Sequence, residues 1–109
     1  MNRLDVITMI GDVITAIDGA RGDLLPDDPN RHRLDAQRAS LDDCQRQLSK
    51  ATFDDGTEQF QNAAQKLKAV NDQVKGSIQQ VNQIVTVLKN IGTFLDEVTS
   101  LIRTIGPFL

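Results

Sequence analysis

The residues of this sequence best able to do chemistry are one histidine, one cysteine and two pairs of neighbouring aspartates. His32 and Cys44 are the single members of their types, so no group of metal ligands occurs at a recognisable spacing. The aspartate pairs are Asp42–Asp43 and Asp54–Asp55. Adjacent side chains of a helix point in different directions, so neither pair brings two carboxylates together. We therefore predict a protein with no enzyme activity, catalytic residue, metal site or cofactor.

His32 and Cys44 have ordinary structural interpretations. His32 lies between Arg31 and Arg33 near the expected start of a helix, which predicts a solvated surface residue. Cys44 falls on a narrow apolar stripe of the same helix, which predicts a buried structural thiol. The alternative for Cys44 is a position at a symmetric seam, where oxidation would cross-link two chains.

Composition limits the other classes of function. The chain has 109 residues, which is one small domain, with 39% hydrophobic and 25% charged residues. Its net charge of −3 and pI near 4.9 argue against nucleic acid as a partner, because phosphates require a basic surface. Nothing in the sequence indicates a small-molecule substrate. A single cysteine excludes an internal disulfide.

Targeting signals are not visible. Asp5 and Asp12 interrupt the apolar run that a signal peptide would need. No stretch of about 20 uncharged apolar residues occurs, so no transmembrane segment is expected. The sequence therefore favours a cytoplasmic location.

Two helices are predicted in the first half of the chain. The first covers about 2–18, with Asn2 as its N-cap and Gly19 as a left-handed C-terminal cap. Residues 19–29 read as a loop, and Asp28–Pro29 is a start signal for a second helix over about 29–52. The second helix has a narrow apolar stripe and should be largely solvated. That stripe consists of Leu34, Leu41, Cys44, Leu48 and Ala51.

The strongest pattern is a heptad-like apolar seam in the second half. Its main row recurs every seven residues: Phe53, Phe60, Leu67, Val74, Val81, Leu88, Leu95, Ile102 and Leu109. The seven-residue phase passes through Gly76 without a shift, which favours one long C-terminal helix over about 55–105. The fold class is therefore all-α, an antiparallel helical hairpin or bundle containing that long helix. The alternative is a compact four-helix bundle broken at Gly76.

Towards its C-terminal end the long helix gains a further apolar row, Val87, Phe94, Leu101 and Phe108. Its apolar face then covers about half the circumference, which is more than one neighbouring helix can bury. The expected packing sets the second helix along 57–78 and the first helix along 80–105. Part of the apolar row would remain uncovered, so we predict that these four residues contact a partner, which is a second copy of the chain or another helical protein.

The polar side of this helix is rich in Gln and Asn, and the segment from Gly76 to Leu88 carries no charge. This combination resembles the long helices of bacterial α-helical pore-forming toxins. The resemblance implies a membrane-active protein as the alternative function. The preferred prediction is a non-enzymatic helical interaction or structural protein, because membrane-surface helices usually carry more Lys and Arg on their polar side.

Overall fold

The described part of the chain forms four α-helices. The computed structural model describes residues 1–77 and 83–105, and no strand occurs within these two ranges. The helices are α1 (Arg3–Gly22), α2 (Pro29–Lys50), α3 (Glu58–Ser77) and α4 (Ile84–Thr104). The predicted all-α fold is confirmed, in the form of a compact bundle.

The start of α1 is fixed by a reciprocal cap. The Asn2 side chain accepts a hydrogen bond from the Asp5 amide, and the Asp5 carboxylate accepts one from the Asn2 amide. This arrangement satisfies two helix-end donors and confirms Asn2 as the N-cap. The predicted end at Gly19 is wrong, because α1 continues to Gly22. The added turn is held in place by Ala20, which is buried in the core.

The start of α2 also follows the sequence signal. The Asp28 carboxylate accepts a hydrogen bond of 2.8 Å from the Asn30 amide, and Pro29 occupies the first helical position. The three leucines of its stripe, Leu34, Leu41 and Leu48, have no exposed area. The remaining faces of α2 are mostly polar, so this narrow stripe supplies nearly all of its core contact.

The predicted continuous helix over 55–105 is wrong, and the compact four-helix alternative describes the chain. The Asn90 side-chain amide donates a hydrogen bond of 2.9 Å to the Ser77 hydroxyl. In one straight helix these residues would lie about 20 Å apart, so the chain reverses direction between them. Gly76 itself is still helical. The break predicted at Gly76 is therefore not found there, and residues 78–82 lie outside the described ranges.

The start of α3 also differs from the prediction at residue 55. Its first turn begins at Glu58, where the Thr57 hydroxyl accepts a hydrogen bond from the Phe60 amide. Asp55 serves another purpose, since its carboxylate accepts a hydrogen bond of 2.9 Å from the Arg3 amide.

Each helix of the bundle has two principal neighbours. α1 packs against α2 and α3, and α4 packs against α3 and α2. The expected packing had α2 against α3 and α1 against α4, and it is wrong, because those helices lie across the bundle from each other. The physical reason is the reversal between α3 and α4, which makes these two helices a tightly packed pair.

Candidate functional site

Three residues of the predicted partner-binding row lie in the protein core. Val87 is 1% exposed, and Phe94 and Leu101 are fully buried. In this fold they pack inside the chain and present no surface to a partner. The wide apolar face of α4 is covered because two helices, α3 and α2, pack on it. The arrangement expected from the sequence had placed only one helix against this face. Phe108, the fourth residue of the row, lies outside the described residues.

The chemically capable side chains are not brought together. His32 is exposed on α2, as predicted. Cys44 is half-buried at the edge of the core, and burial raises the pKa of its thiol, with a further increase from the Asp43 carboxylate. A thiol with a raised pKa is a poor nucleophile near neutral pH. Among residues 1–77 and 83–105, no three His, Cys, Asp or Glu side chains are placed to hold a metal ion.

The α1–α2 interface is closed by ion pairs at its outer edge. Arg38 Nε lies 2.7 Å from Asp18 Oδ1, and Arg21 Nε lies 2.6 Å from Asp35 Oδ1. The hydrogen bond with Asp18 and the negative charge of that carboxylate raise the pKa of the Arg38 guanidinium. These partly exposed ion pairs join α1 to α2 at the surface, where such pairs contribute little to stability.

The groove between α1 and α3 differs from the other interfaces. It has a volume of about 360 Å³ and is open to solvent along one side. We name it the α1–α3 groove, and its lining residues are Met1, Asp5, Thr8, Met9, Lys68, Asn71, Asp72 and Lys75. α1 and α3 make fewer backbone contacts with each other than any other pair of neighbouring helices. Two helices that meet this loosely leave room for another group between them.

One end of the α1–α3 groove is held by the connection between α2 and α3. The Met1 ammonium group donates a hydrogen bond of 2.7 Å to Gln61 Oε1, and Gln61 Nε2 donates one of 2.6 Å to the Asp55 carbonyl. The Arg3 guanidinium carbon lies 4.4 Å from the centre of the Phe53 ring. These contacts set α1 and α3 side by side and pointing in the same direction.

Asn71 is the unusual residue of the α1–α3 groove. It is 3% exposed, and its Oδ1 atom accepts no hydrogen bond from the described residues. The same face of α3 otherwise carries apolar residues, namely Leu67 and Val74 on either side. A buried polar atom without a partner costs about 1–3 kcal/mol. Two other atoms of the described residues are buried without a hydrogen bond, Arg21 Nε and Gln37 Oε1, and neither lines this groove.

The charges around the α1–α3 groove are exposed and mutually unpaired. Asp5 lies on α1, and Lys68, Asp72 and Lys75 lie on α3, all four with exposed side chains. The ion pairs found among the described residues use none of them. The α3 side of the groove therefore carries charges of both signs, and the α1 side carries the Asp5 carboxylate, which also caps α1.

A second groove, of about 390 Å³, lies between α3 and α4. Its lining has one basic and one acidic side chain, Lys66 and Glu97, and is otherwise built from amide, hydroxyl and alanine side chains. It contains no buried unpaired polar atom comparable to Asn71. The α1–α3 groove is accordingly the stronger candidate.

No protein-family model matches this chain, and neither a curated protein nor a solved structure is significantly similar to it. The functional argument therefore comes from the site itself. Among the described parts of the chain, no helix is both long enough and apolar enough to cross a membrane.

Sequence reasoning missed the α1–α3 groove, although one signal for it was present. Asn71 follows Leu67 by four residues and precedes Val74 by three, so the heptad pattern places an amide on an inward-facing row. The sequence could not show that Asp5, Lys68 and Lys75 border one groove, because only the tertiary structure sets α1 beside α3.

Proposed function

We propose that this protein is a non-enzymatic helical interaction protein that docks a second helical surface, from another copy of the chain or from another helical protein, along the α1–α3 groove. The observation that carries the proposal is the combination of an open seam between two helices with the buried, unpaired amide of Asn71 inside it.

The proposed contact surface is the α1–α3 groove, which differs from the α4 row expected from the sequence. The apolar row on α4 is used inside the bundle, so docking has to use an outer surface. The α1–α3 groove offers the side chains that such contacts commonly use. Met9 gives an apolar floor, Asn71 gives an amide, and exposed charges of both signs at the edges offer partners for charges of the incoming helix.

The test is site-specific photocrosslinking in cells of the native host. A photoreactive amino acid replaces Thr8, which is exposed and lines the groove. Matched controls place the same amino acid at Ala39 on α2 and at Thr93 on α4, which are exposed on other faces. We expect a discrete protein adduct from position 8 that is absent or much weaker from the two controls.

The partner in the adduct is identified by mass spectrometry, and the absolute mass of the purified protein is measured by light scattering. A second copy or a helical protein in the adduct supports the proposal. Equal labelling at all three positions, or no adduct at position 8, would reject the α1–α3 groove as the docking surface.

The membrane-active alternative requires a larger rearrangement. The most apolar helices are α1 and α4, and their apolar faces are buried in the bundle. Insertion into lipid would require them to leave α2 and α3. Vesicle leakage assays with neutral and anionic lipids separate the two functions, since an interaction protein should cause no leakage with either.

A further inference from the structure

We propose that the folded bundle opens along the α1–α3 groove, with α1 and α2 moving as one hairpin away from α3 and α4. The contact between α2 and α4 serves as the hinge, and Asn71 lowers the cost of the motion. This proposal goes beyond the docking function, because it concerns the single chain and does not depend on what docks. It follows from the distribution of polar contacts between the helices and from the surroundings of Asn71.

Polar contacts connect neighbouring helices along three sides of the bundle. α1 is joined to α2 by the two ion pairs at their outer edge and by Gln45, which donates to a backbone carbonyl of α1. α3 is joined to α4 by the hydrogen bond between Asn90 and Ser77. α2 is joined to α4 by Gln37, which donates to the Leu88 carbonyl. The hairpins α1–α2 and α3–α4 are therefore each held together, and they are connected to each other through α2 and α4.

The fourth side, between α1 and α3, differs. At one end, Gln61 is hydrogen-bonded to the backbone of Met1. Along the helices themselves, the described residues form no ion pair and no side-chain hydrogen bond between α1 and α3. The open groove already separates the two helices over part of their length. Separation of the end towards Ser77 therefore breaks apolar contacts and no polar contact between described residues of α1 and α3.

Asn71 lowers the cost of opening because of its state in the closed bundle. Its Oδ1 atom is buried without a donor among the described residues, which is unfavourable. Asn71 lines the groove, so a small separation of α1 from α3 admits water that donates to this oxygen. Leu67 and Val74, the buried apolar residues on either side, gain nothing from water and favour the closed state. An apolar residue at position 71 would therefore keep the groove closed for more of the time.

The test is the rate at which a thiol reagent modifies a single buried cysteine in the full chain. In a Cys44→Ala background, Val74→Cys reports on the groove and Val87→Cys is the matched control. Both valines are 1% exposed, and they lie near the same end of the bundle, on α3 and α4. Val87 precedes Leu88, whose carbonyl is bonded to Gln37 across the proposed hinge. Circular dichroism establishes that each variant is folded, and each rate is divided by that of the urea-unfolded variant.

We expect the cysteine at position 74 to react about tenfold faster, or more, than the one at position 87. Its rate should depend only weakly on urea, because opening one groove exposes little surface, whereas position 87 should show the full urea dependence of global unfolding. Addition of Asn71→Leu should slow the reaction at position 74 by about tenfold, because the closed state no longer buries an unpaired amide. Asn62→Leu, at an exposed position of α3, should leave that rate unchanged.

Three results would overturn the proposal. Slow reaction at both positions, with the urea dependence of global unfolding, would mean that the groove does not open in the folded chain. Equally fast reaction at both would mean that this end of the bundle unravels as a whole. An unchanged rate at position 74 in Asn71→Leu would mean that the buried amide has no part in the motion. None of these results bears on docking, which the photocrosslink from Thr8 tests separately.

Discussion

Gln45 on α2 donates a hydrogen bond of 3.1 Å from its side-chain amide to the backbone carbonyl of Ile7 on α1. On the other flank of α2, Gln37 donates a hydrogen bond of 3.0 Å to the Leu88 carbonyl of α4. In both cases a glycine lies four residues after the accepting carbonyl, Gly11 in α1 and Gly92 in α4. α2, the helix with the narrowest apolar stripe, is therefore held to both neighbours by the same kind of contact.

The two glycines leave different amounts of space for these amides. A Cβ atom on Gly11 would lie 3.2 Å from Gln45 Nε2, whereas one on Gly92 would lie 3.8 Å from Gln37 Nε2. At the shorter distance the Gln45 amide, which is bonded to the Ile7 carbonyl, must shift by a few tenths of an ångström. The longer distance is an ordinary van der Waals contact. The Gln45 contact therefore depends on its glycine, and the Gln37 contact does not.

We expect Gly11→Ala to be less stable than Gly92→Ala by about 1 kcal/mol, because only the first disturbs an interhelical hydrogen bond. The measurement is urea unfolding followed by circular dichroism. Gly19→Ala is the control, since nothing lies within 4 Å of its added Cβ. The control should gain up to about 1 kcal/mol from helix propensity alone. Equal gains in all three variants would show that Gln45 does not require Gly11.

Replacement of Phe94 should destabilise the fold of the single chain, because its side chain is part of the core. Phe94 is fully buried, so Phe94→Ala should lower the free energy of unfolding by about 3–5 kcal/mol. Val85, on the same helix, is 74% exposed, and Val85→Ala should change stability by less than about 0.5 kcal/mol. Thermal unfolding of both variants checks this. A stable Phe94→Ala protein that has only lost self-association would favour the partner-binding role predicted from the sequence.

Asn71 should reduce the stability of the isolated chain. Asn71→Leu replaces a buried unpaired amide by an apolar group of similar size, and we expect a gain of about 1–2 kcal/mol. Asn62→Leu, at an exposed position of α3, measures the helix-propensity contribution alone. Both are measured by urea unfolding at dilute concentration. A loss of stability in Asn71→Leu would mean that the amide is hydrogen-bonded in the monomer.

Cys44 should make the protein less stable in alkaline solution. Burial raises the pKa of its thiol in the folded state, so the folded chain holds this proton more tightly than the unfolded chain does. Stability is then unaffected below the thiol pKa of the unfolded chain, about 8.5, and decreases as the pH rises through that value towards the folded one. The urea midpoint of the natural protein should therefore fall more steeply above about pH 8.5 than that of Cys44→Ala. Identical pH dependence in the two proteins would contradict a buried thiol.

Much of the local structure could be predicted from the sequence, because it depends on neighbouring residues. The cap at Asn2, the start at Asp28–Pro29 and the buried leucine stripe of α2 are each determined within one or two helical turns. The helix end predicted at Gly19 from the same kind of local signal was wrong. A glycine permits a helix to end but does not require it, and Ala20 has a core contact that keeps the next turn helical.

The sequence analysis did not predict that Val87, Phe94 and Leu101 are buried, and the reason is specific. The seven-residue apolar row has the same phase before and after Ser77. Two separate helices can share a phase in this way, so the row does not distinguish them from one long helix. The row that includes Phe94 and Leu101 was therefore assigned to one long helix with too few neighbours. The hydrogen bond between Asn90 and Ser77 exists only in the folded-back arrangement.

The helical fold, the start of α2 and the apolar residues of each helix follow from the sequence alone, because helix propensity, capping and amphipathic spacing act over short separations along the chain. The folded structure was needed to show that α4 folds back on α3, that Val87, Phe94 and Leu101 are core residues, and that Asp5 of α1 borders the same groove as Lys68 and Lys75 of α3. These relationships depend on which helices become neighbours, and that choice reflects the packing of whole faces across the bundle.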